Sequence, residues 1–269
     1  MAFQSHLDRL DVVLVSPRNP LNIGAAARAM ANFGFSRLAV VAPYEPHWRE
    51  ARSAVGAPEL LVNARETSTL AEAVSGSTLV IGTATIARRQ PEQPVVQLPD
   101  LAPIVRQALA RNGRVALVFG SEKRGLTVED LAHCHLLVEI PTDPRQPSMN
   151  LGQAVAVCLY EIASRAGRPI GNSTQPPDQA PTPDDLRANL HSPPDPPATS
   201  SELDRLARIV EETMLAANYS PAAMRRANRH DLHLLLRRLA LTRRDSRRIL
   251  GLFRRILWRL HHRTGQAKN

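Results

Sequence analysis

The sequence predicts an α/β fold built on a mostly parallel sheet, followed by a small basic helical domain. Three observations lead there: short apolar runs that alternate with helical patterns, a proline-rich break, and a helical last quarter that holds the excess charge. The apolar runs Asp11–Ser16, Leu38–Ala42, Leu79–Thr83, Val115–Phe119 and Leu137–Ile140 lack strict alternation, as strands buried on both faces do. Helical patterns lie between and after them at about 23–33, 57–62, 69–75, 100–112, 127–132 and 150–166, and this order points to a parallel sheet.

The break spans residues 169–200, where nine prolines occur with almost no apolar periodicity. Such a segment buries too little surface to offset the entropy of ordering, so it is expected to be an extended linker. Residues 1–168 then form the first domain and residues 201–269 the second. In the second, Leu203, Leu206, Ile209, Val210 and Met214 recur at helical spacing, as do Leu232, Leu235, Leu236 and Leu239, and then Ile249, Leu252, Phe253, Ile256, Leu257 and Leu260. A bundle of three helices or fewer is expected.

Charge divides the chain at the same place. Residues 1–200 carry 18 Lys+Arg against 19 Asp+Glu, while residues 201–269 carry 16 against 6, so the tail accounts for the whole formal charge of +9. Clustered arginine neutralises phosphates and releases counterions, which points to an acidic polymer such as a nucleic acid. The alternative is a solvated helix surface. No apolar run is long enough to span a bilayer, and the first ten residues lack the order of a signal peptide, so a cytoplasmic protein without membrane contact is expected. Cys134 and Cys158 have no CxxC spacing and fit core thiols in a reducing compartment.

Chemistry concentrates in three loops that follow strands, where open α/β sheets place their ligands. The first, PRNPLNIGAAARAMANFGF (Pro17–Phe35), offers Asn22 or Gly24 as a helix start, Arg28 within the helix and Gly34 as its stop. It lacks the GxGxxG spacing of a dinucleotide fingerprint. Taken alone, it reads equally well as an Ala-rich packing helix with a surface arginine. The second, VALVFGSEKRGL (Val115–Leu126), sets Gly120 and Gly125 around a charged stretch in which Glu122 can accept hydrogen bonds from an amide, a hydroxyl or an arginine. It is not a phosphate loop, since the GxxxxGK order fails. The third, IPTDPRQPSMNL (Ile140–Leu151), ends in Ser148 and Asn150, either of which can cap the helix that follows. His133 and His135 flank Cys134 without metal-ligand spacing, and no GxSxG or HExxH pattern occurs, so neither a metal nor a hydrolase is expected.

Together, Asn22 to Arg28, FGSEKRGL and IPT…SMNL resemble motifs one, two and three of the SpoU branch of the SPOUT RNA methyltransferases, over about residues 10–165. The helical tail is similar to the C-terminal part of the TrmJ type, which acts on the ribose of tRNA nucleotide 32. The resemblance implies a trefoil-knotted α/β domain, a homodimer formed at the knot and an S-adenosylmethionine site. Thr83, Gly120, Glu122, Ile140, Ser148, Met149, Asn150 and Leu151 would surround the cofactor. It also implies 2′-O-methylation of RNA, with Arg28 at the catalytic position, supported by Asn22, Glu122, Ser148 and Asn150. A guanidinium is almost always charged, so positioning and alkoxide stabilisation suit Arg28 better than proton abstraction. The competing readings are methylation of rRNA ribose and a noncatalytic knotted RNA-binding protein.

Overall fold

The computed structural model describes residues 4–85, 91–165, 195–219 and 221–266. Seven strands form one sheet: β1 (Leu10–Val15), β2 (Arg37–Val41), β3 (Arg65–Thr67), β4 (Leu79–Thr83), β5 (Val95–Gln97), β6 (Val115–Phe119) and β7 (Leu136–Glu139). Their spatial order is β3-β2-β1-β6-β4-β7-β5, and every pairing is parallel. The five strands read from the sequence lie within a residue of their expected bounds. Strands β3 and β5 were not expected: each has three residues and contains only exposed or half-buried positions apart from Thr67, so neither carries an apolar run.

Successive side chains of a strand point to opposite faces, and here both faces are covered. Val12, Leu14, Val40, Leu117 and Phe119 meet helices α1 (Pro20–Phe33), α4 (Leu101–Ala110) and α6 (Leu151–Ser164). On the other face Val13, Val15, Val41, Val80 and Val118 meet Leu70 and Ala73 of α3 (Leu70–Ala73) and Leu131 of α5 (Val128–Leu131). A short helix, α2 (Pro58–Val62), lies between β2 and β3. Buried Cys134 and Cys158 belong to opposite clusters, and burial pushes both thiols up to about 12, as suits core residues.

Helix α1 begins at Pro20, two residues before Asn22 and four before Gly24, the expected starts. The cap is Asn19, whose side chain accepts from the Leu21 amide, and Pro20 takes the first helical position. Proline suits that position because its missing N–H would have no partner there. The early start moves Asn22 into the first turn. Helix α6 begins where Asn150 caps it, accepting from Gly152 N at 2.9 Å and Gln153 N at 3.4 Å. Asn150 therefore takes the capping role that had been open between it and Ser148.

Helices α1 and α6 lie against each other through small residues. A Cβ on Gly152 would stand 2.7 Å from Ala25 Cβ, so glycine is what permits this approach. It sets the first turns of the two helices side by side, at the carboxyl ends of β1 and β7.

The tail forms helices α7 (Ser200–Ala216), α8 (Arg225–Arg238) and α9 (Arg243–Gln266), with Leu206, Ala207, Val210 and Leu236 at their shared core. Of the linker expected over 169–200, residues 169–194 lie outside the described residues. Residues 195–199 belong with the helices instead: Ala198 is buried, Pro197 bridges Thr242, and Thr199 caps α7 in a reciprocal pair with Glu202. The tail also docks on the sheet domain. Ser200 N and Ser201 N donate to Ser77 O and Ser75 O at 2.9 and 3.1 Å. Arg237, with a side chain 1% exposed, donates to Asp204 at 2.9 Å and faces His133 Nδ1 at 3.2 Å.

The α1–α6 contact is directly testable. Gly152→Ala is expected to cost about 1–3 kcal/mol through overpacking, lowering the melting temperature by several degrees. Ala25→Gly in the same chain should recover part of the loss; an unchanged melt for Gly152→Ala would show that the helices do not meet so closely.

Candidate active site

The three sequence motifs meet in one hydrogen-bonded chain of side chains. Glu122, in the turn after β6, accepts from Arg18 N at 2.9 Å, Asn19 N at 3.1 Å and Asn22 Nδ2 at 2.9 Å. Asn22 Oδ1 in turn accepts from Asn150 Nδ2 at 2.9 Å, and Asn150 caps α6. A carboxylate at the start of α1 also meets the favourable end of the helix dipole. Burial alone would raise the Glu122 carboxyl, but the hydrogen bonds from Asn22, Arg18 and Asn19 outweigh it and hold the group below the ordinary 4.5. An anion held by three donors is an anchor for the loop rather than a proton acceptor.

The Glu122 turn is tight. Gly125 N donates back to Ser121 O at 2.8 Å with φ of 66° at Gly125, and a Cβ on Gly120 would stand 2.0 Å from the Gly125 carbonyl carbon. On the other side of the site, the hydroxyls of Thr85 and Thr142 both donate to Pro147 O at 3.3 Å, fixing the loop that leads to α6.

Between these loops lies a cavity of about 470 Å³, lined by Thr83, Gly120, Glu122, Ile140, Ser148, Met149 and Leu151, among others. Seven of the eight residues expected around a cofactor thus share one cavity. Asn150 is exposed and does not line the cavity; its side chain is linked to Glu122 of the lining through Asn22. The Thr83 hydroxyl donates to Val118 O at 3.1 Å, which ties β4 to β6. Phe119, Leu126 and Val138 add apolar surface, and Thr85, Ser121 and Thr142 add hydroxyls that the sequence reading did not single out. The volume and the mix of apolar wall with few polar groups are those of a small-molecule site.

Arg28 stands apart. It is exposed, and it does not line this cavity. Six residues of helix rotate it by about 240° from Asn22, so the two cannot point the same way. Arg28 instead shares a stripe with Leu21, seven positions earlier, which is also exposed. On neighbouring α6, Val157 and Tyr160 are exposed as well, and Tyr160 meets Phe33 of α1 edge-on at 5.9 Å.

Among the described residues, one group has metal-ligand character: His133, Asp204 and His233. The Arg237 guanidinium contacts all three of them, so the cation of this cluster is already a side chain. His135 accepts from Val80 N at 3.1 Å, and burial lowers it to about 3; it is a neutral core histidine.

Known proteins resemble this chain as follows. The profile of the SpoU rRNA Methylase family matches residues 9–160. The tRNA (cytidine/uridine/adenosine-2′-O-)-methyltransferase TrmJ of Pseudomonas aeruginosa is 46% identical over 157 residues, covering 58% of this chain and 61% of that protein. The tRNA (cytidine/uridine-2′-O-)-methyltransferase TrmJ of Escherichia coli K12 is 39% identical over 157 residues, covering 58% and 63%. The matches thus span less than two thirds of these relatives' length. The crystal structure of TrmJ from Z. mobilis ZM4 superposes with a TM-score of 0.74 at 27% identity, covering 91% of this chain and 98% of that one.

Glu122→Gln tests the anchor. One carboxylate oxygen becomes an N–H group facing a backbone N–H donor, and in this solvent-open position the cost is expected to be about 1 kcal/mol. Because the folded-state carboxyl is held below 4.5, its contribution is fully present above that pH and is lost as pH falls through the lowered value. Melting curves from pH 7 down to 3 should show the gap between wild type and Glu122→Gln closing at the acid end; a gap independent of pH would refute the anchored carboxylate.

Proposed function

The chain belongs to the SpoU rRNA methylase family, and from that premise we propose that it methylates an RNA ribose 2′-hydroxyl with S-adenosylmethionine, its target being nucleotide 32 of the tRNA anticodon loop. One observation carries this reading: Asn22, Glu122 and Asn150, one from each motif, form a single hydrogen-bonded chain at the edge of a nucleoside-sized cavity. The residues fit the cofactor. Apolar Phe119, Leu126 and Ile140 suit an adenine ring, and Ser121, Thr85 and Thr142 supply polar atoms for ribose and amino-acid groups.

When bound, the cofactor would supply an electrophilic methyl group to the 2′-oxygen, with S-adenosylhomocysteine as the leaving group and the hydroxyl proton passing to solvent. The protein holds the two reactants in line, which supplies much of the acceleration. Glu122 and Asn22 fix the motif-two turn and the start of α1 that form one side of the site. Arg28 steadies a phosphate and the charge developing on the 2′-oxygen.

Arg28 lies outside the cavity of its own chain, so we assign it to the site of a second copy in a homodimer. The exposed stripe of Leu21 and Arg28 on α1, beside Val157 and Tyr160 on α6, is the face that would meet that copy. The sheet order supports a trefoil knot at this end, because β6 enters between β1 and β4 before β7 and α6 follow. The basic tail serves to grip the RNA.

Labelled methyl transfer to separated tRNA and rRNA, followed by nucleoside mapping, tests the reaction; a methylated base in place of a 2′-O-methylated ribose would overturn it, and label on rRNA alone would replace the substrate. Arg28→Ala is expected to lower kcat by about 10²–10³ with cofactor affinity unchanged. Mixing Arg28→Ala with Gly120→Ala, whose methyl would collide with the Gly125 backbone and disrupt the motif-two turn that walls the cavity, should restore partial activity if the site is shared between copies; no restoration would place Arg28 elsewhere. Replacing the exposed Arg248, Arg254, Arg255 and Arg259 together by alanine should flatten the slope of log K for tRNA against log salt by up to about 3. An unchanged slope would remove α9 from the RNA interface.

A further inference from the structure

A second cavity opens beside the first, at the carboxyl ends of β1 and β2. It measures about 330 Å³ and is lined by Ser16, Arg18, Ala42, Tyr44, Arg124 and Asp130, among others. Ser121, Arg124 and Gly125 line both cavities, so only the motif-two turn separates them.

The outer wall of this second cavity is an aromatic ring with a guanidinium on it. Tyr44 is 67% exposed, and Arg18 Cζ lies 4.8 Å from its ring centroid. The pair is held at its backbone: Tyr44 N donates to Pro17 O at 3.1 Å, and Arg18 N donates to Glu122 at 2.9 Å. The same carboxylate that orders the first site thus positions the stacking pair. Ser16 and Ala42, which line the floor, have φ of 46° and 43°, an uncommon backbone for residues other than glycine. Asp130, the acid of this wall, is already engaged by Thr127, whose amide and hydroxyl donate to it at 2.9 and 2.8 Å.

Resting on the reading of the chain as an RNA methyltransferase, we propose that this cavity receives a nucleobase of the RNA at or next to the target ribose, stacked on the Tyr44–Arg18 platform. An exposed aromatic face suits any base, because every base has a π-face. The guanidinium groups of Arg18 and Arg124 face the phosphates on either side. The shared turn then sets the distance between the stacked nucleotide and the methyl donor. Tyr44 is accordingly a positioning residue for the substrate, and it acts without contacting the cofactor.

The test uses the full chain with labelled total tRNA. Tyr44→Ala should raise KM and Kd for tRNA roughly tenfold to a hundredfold, leave cofactor affinity unchanged and change kcat little. Tyr44→Phe, which keeps the ring and loses the hydroxyl, should behave like wild type. On the wild-type protein, RNA carrying 4-thiouridine should cross-link under ultraviolet light to peptides that contain Arg18 or Tyr44. Unchanged tRNA affinity for Tyr44→Ala, or cross-links confined to other peptides, would overturn the proposal. A wild-type protein that binds tRNA but methylates no ribose would refute the reaction while Kd still decides the platform; one that binds no RNA would overturn both.

Discussion

The Glu122 carboxylate is the point on which the site's geometry depends. It takes the amides of Arg18 and Asn19 and the side chain of Asn22, so the loop after β1 and the turn after β6 share one anchor. These segments are about a hundred residues apart in sequence. They are brought together because β1 and β6 are hydrogen-bonded neighbours, with Leu14 beside Phe119 at their carboxyl ends. The central pair of the sheet thus delivers two loops to the same place, and the anion fixes their separation. An anion held in this way carries order outward: through Asn22 to Asn150 and the start of α6, and through Arg18 to Tyr44.

That chain can close only because α1 and α6 approach so nearly. With Gly152 against Ala25, the helices meet almost backbone to backbone, and Asn22 and Asn150 come within 2.9 Å. Larger residues at the contact would separate the caps before either asparagine could reach the other. Core packing and site chemistry are therefore one constraint, with small residues supplying the approach and amide side chains registering it.

The central strands were legible because burial on both faces leaves continuous apolar runs such as Val115–Phe119, and the long helices because one face repeats at helical spacing. Strands β3 and β5 were not, since Arg65–Thr67 and Val95–Gln97 are too short and too exposed for any period to show. Seven of the residues named from motif order line one cavity, yet the motifs could not tell which residues face the space and which hold the wall. Asn150 is the clearest case, because capping of α6 consumes its oxygen while its amide nitrogen serves Asn22. The start of α1 was misplaced by weighing Asn22 and Gly24 while the pair Asn19 and Pro20, a cap followed by a first-position proline, stood just upstream. The Arg18–Tyr44 contact joins two loops through space and leaves no local signal in the chain.

The tail follows a different logic from the sheet domain. Its own core is small, with Leu206, Ala207, Val210 and Leu236 at the centre, and much of its helix surface is arginine. Like charges packed at that density repel, which opposes a compact bundle. Several arginines are instead paired with acids: Arg237 is buried against Asp204 beside His133, Arg229 pairs with Glu211, and Arg243 reaches Glu202 at 3.2 Å. Desolvating the Arg237 guanidinium is costly, and the Asp204 carboxylate with the His133 and His233 rings offsets that cost only when α7, α8 and the sheet domain are all in place. The charge therefore makes docking geometry-specific, because a misplaced tail would leave a buried cation without its acceptors. No helix among the described residues is long and apolar enough to cross a membrane, and Arg248, Arg254, Arg255 and Arg259 are exposed along α9. One residue type thus serves two ends: buried and paired, it fixes where the tail sits, and exposed and repeated, it gives α9 a positively charged face.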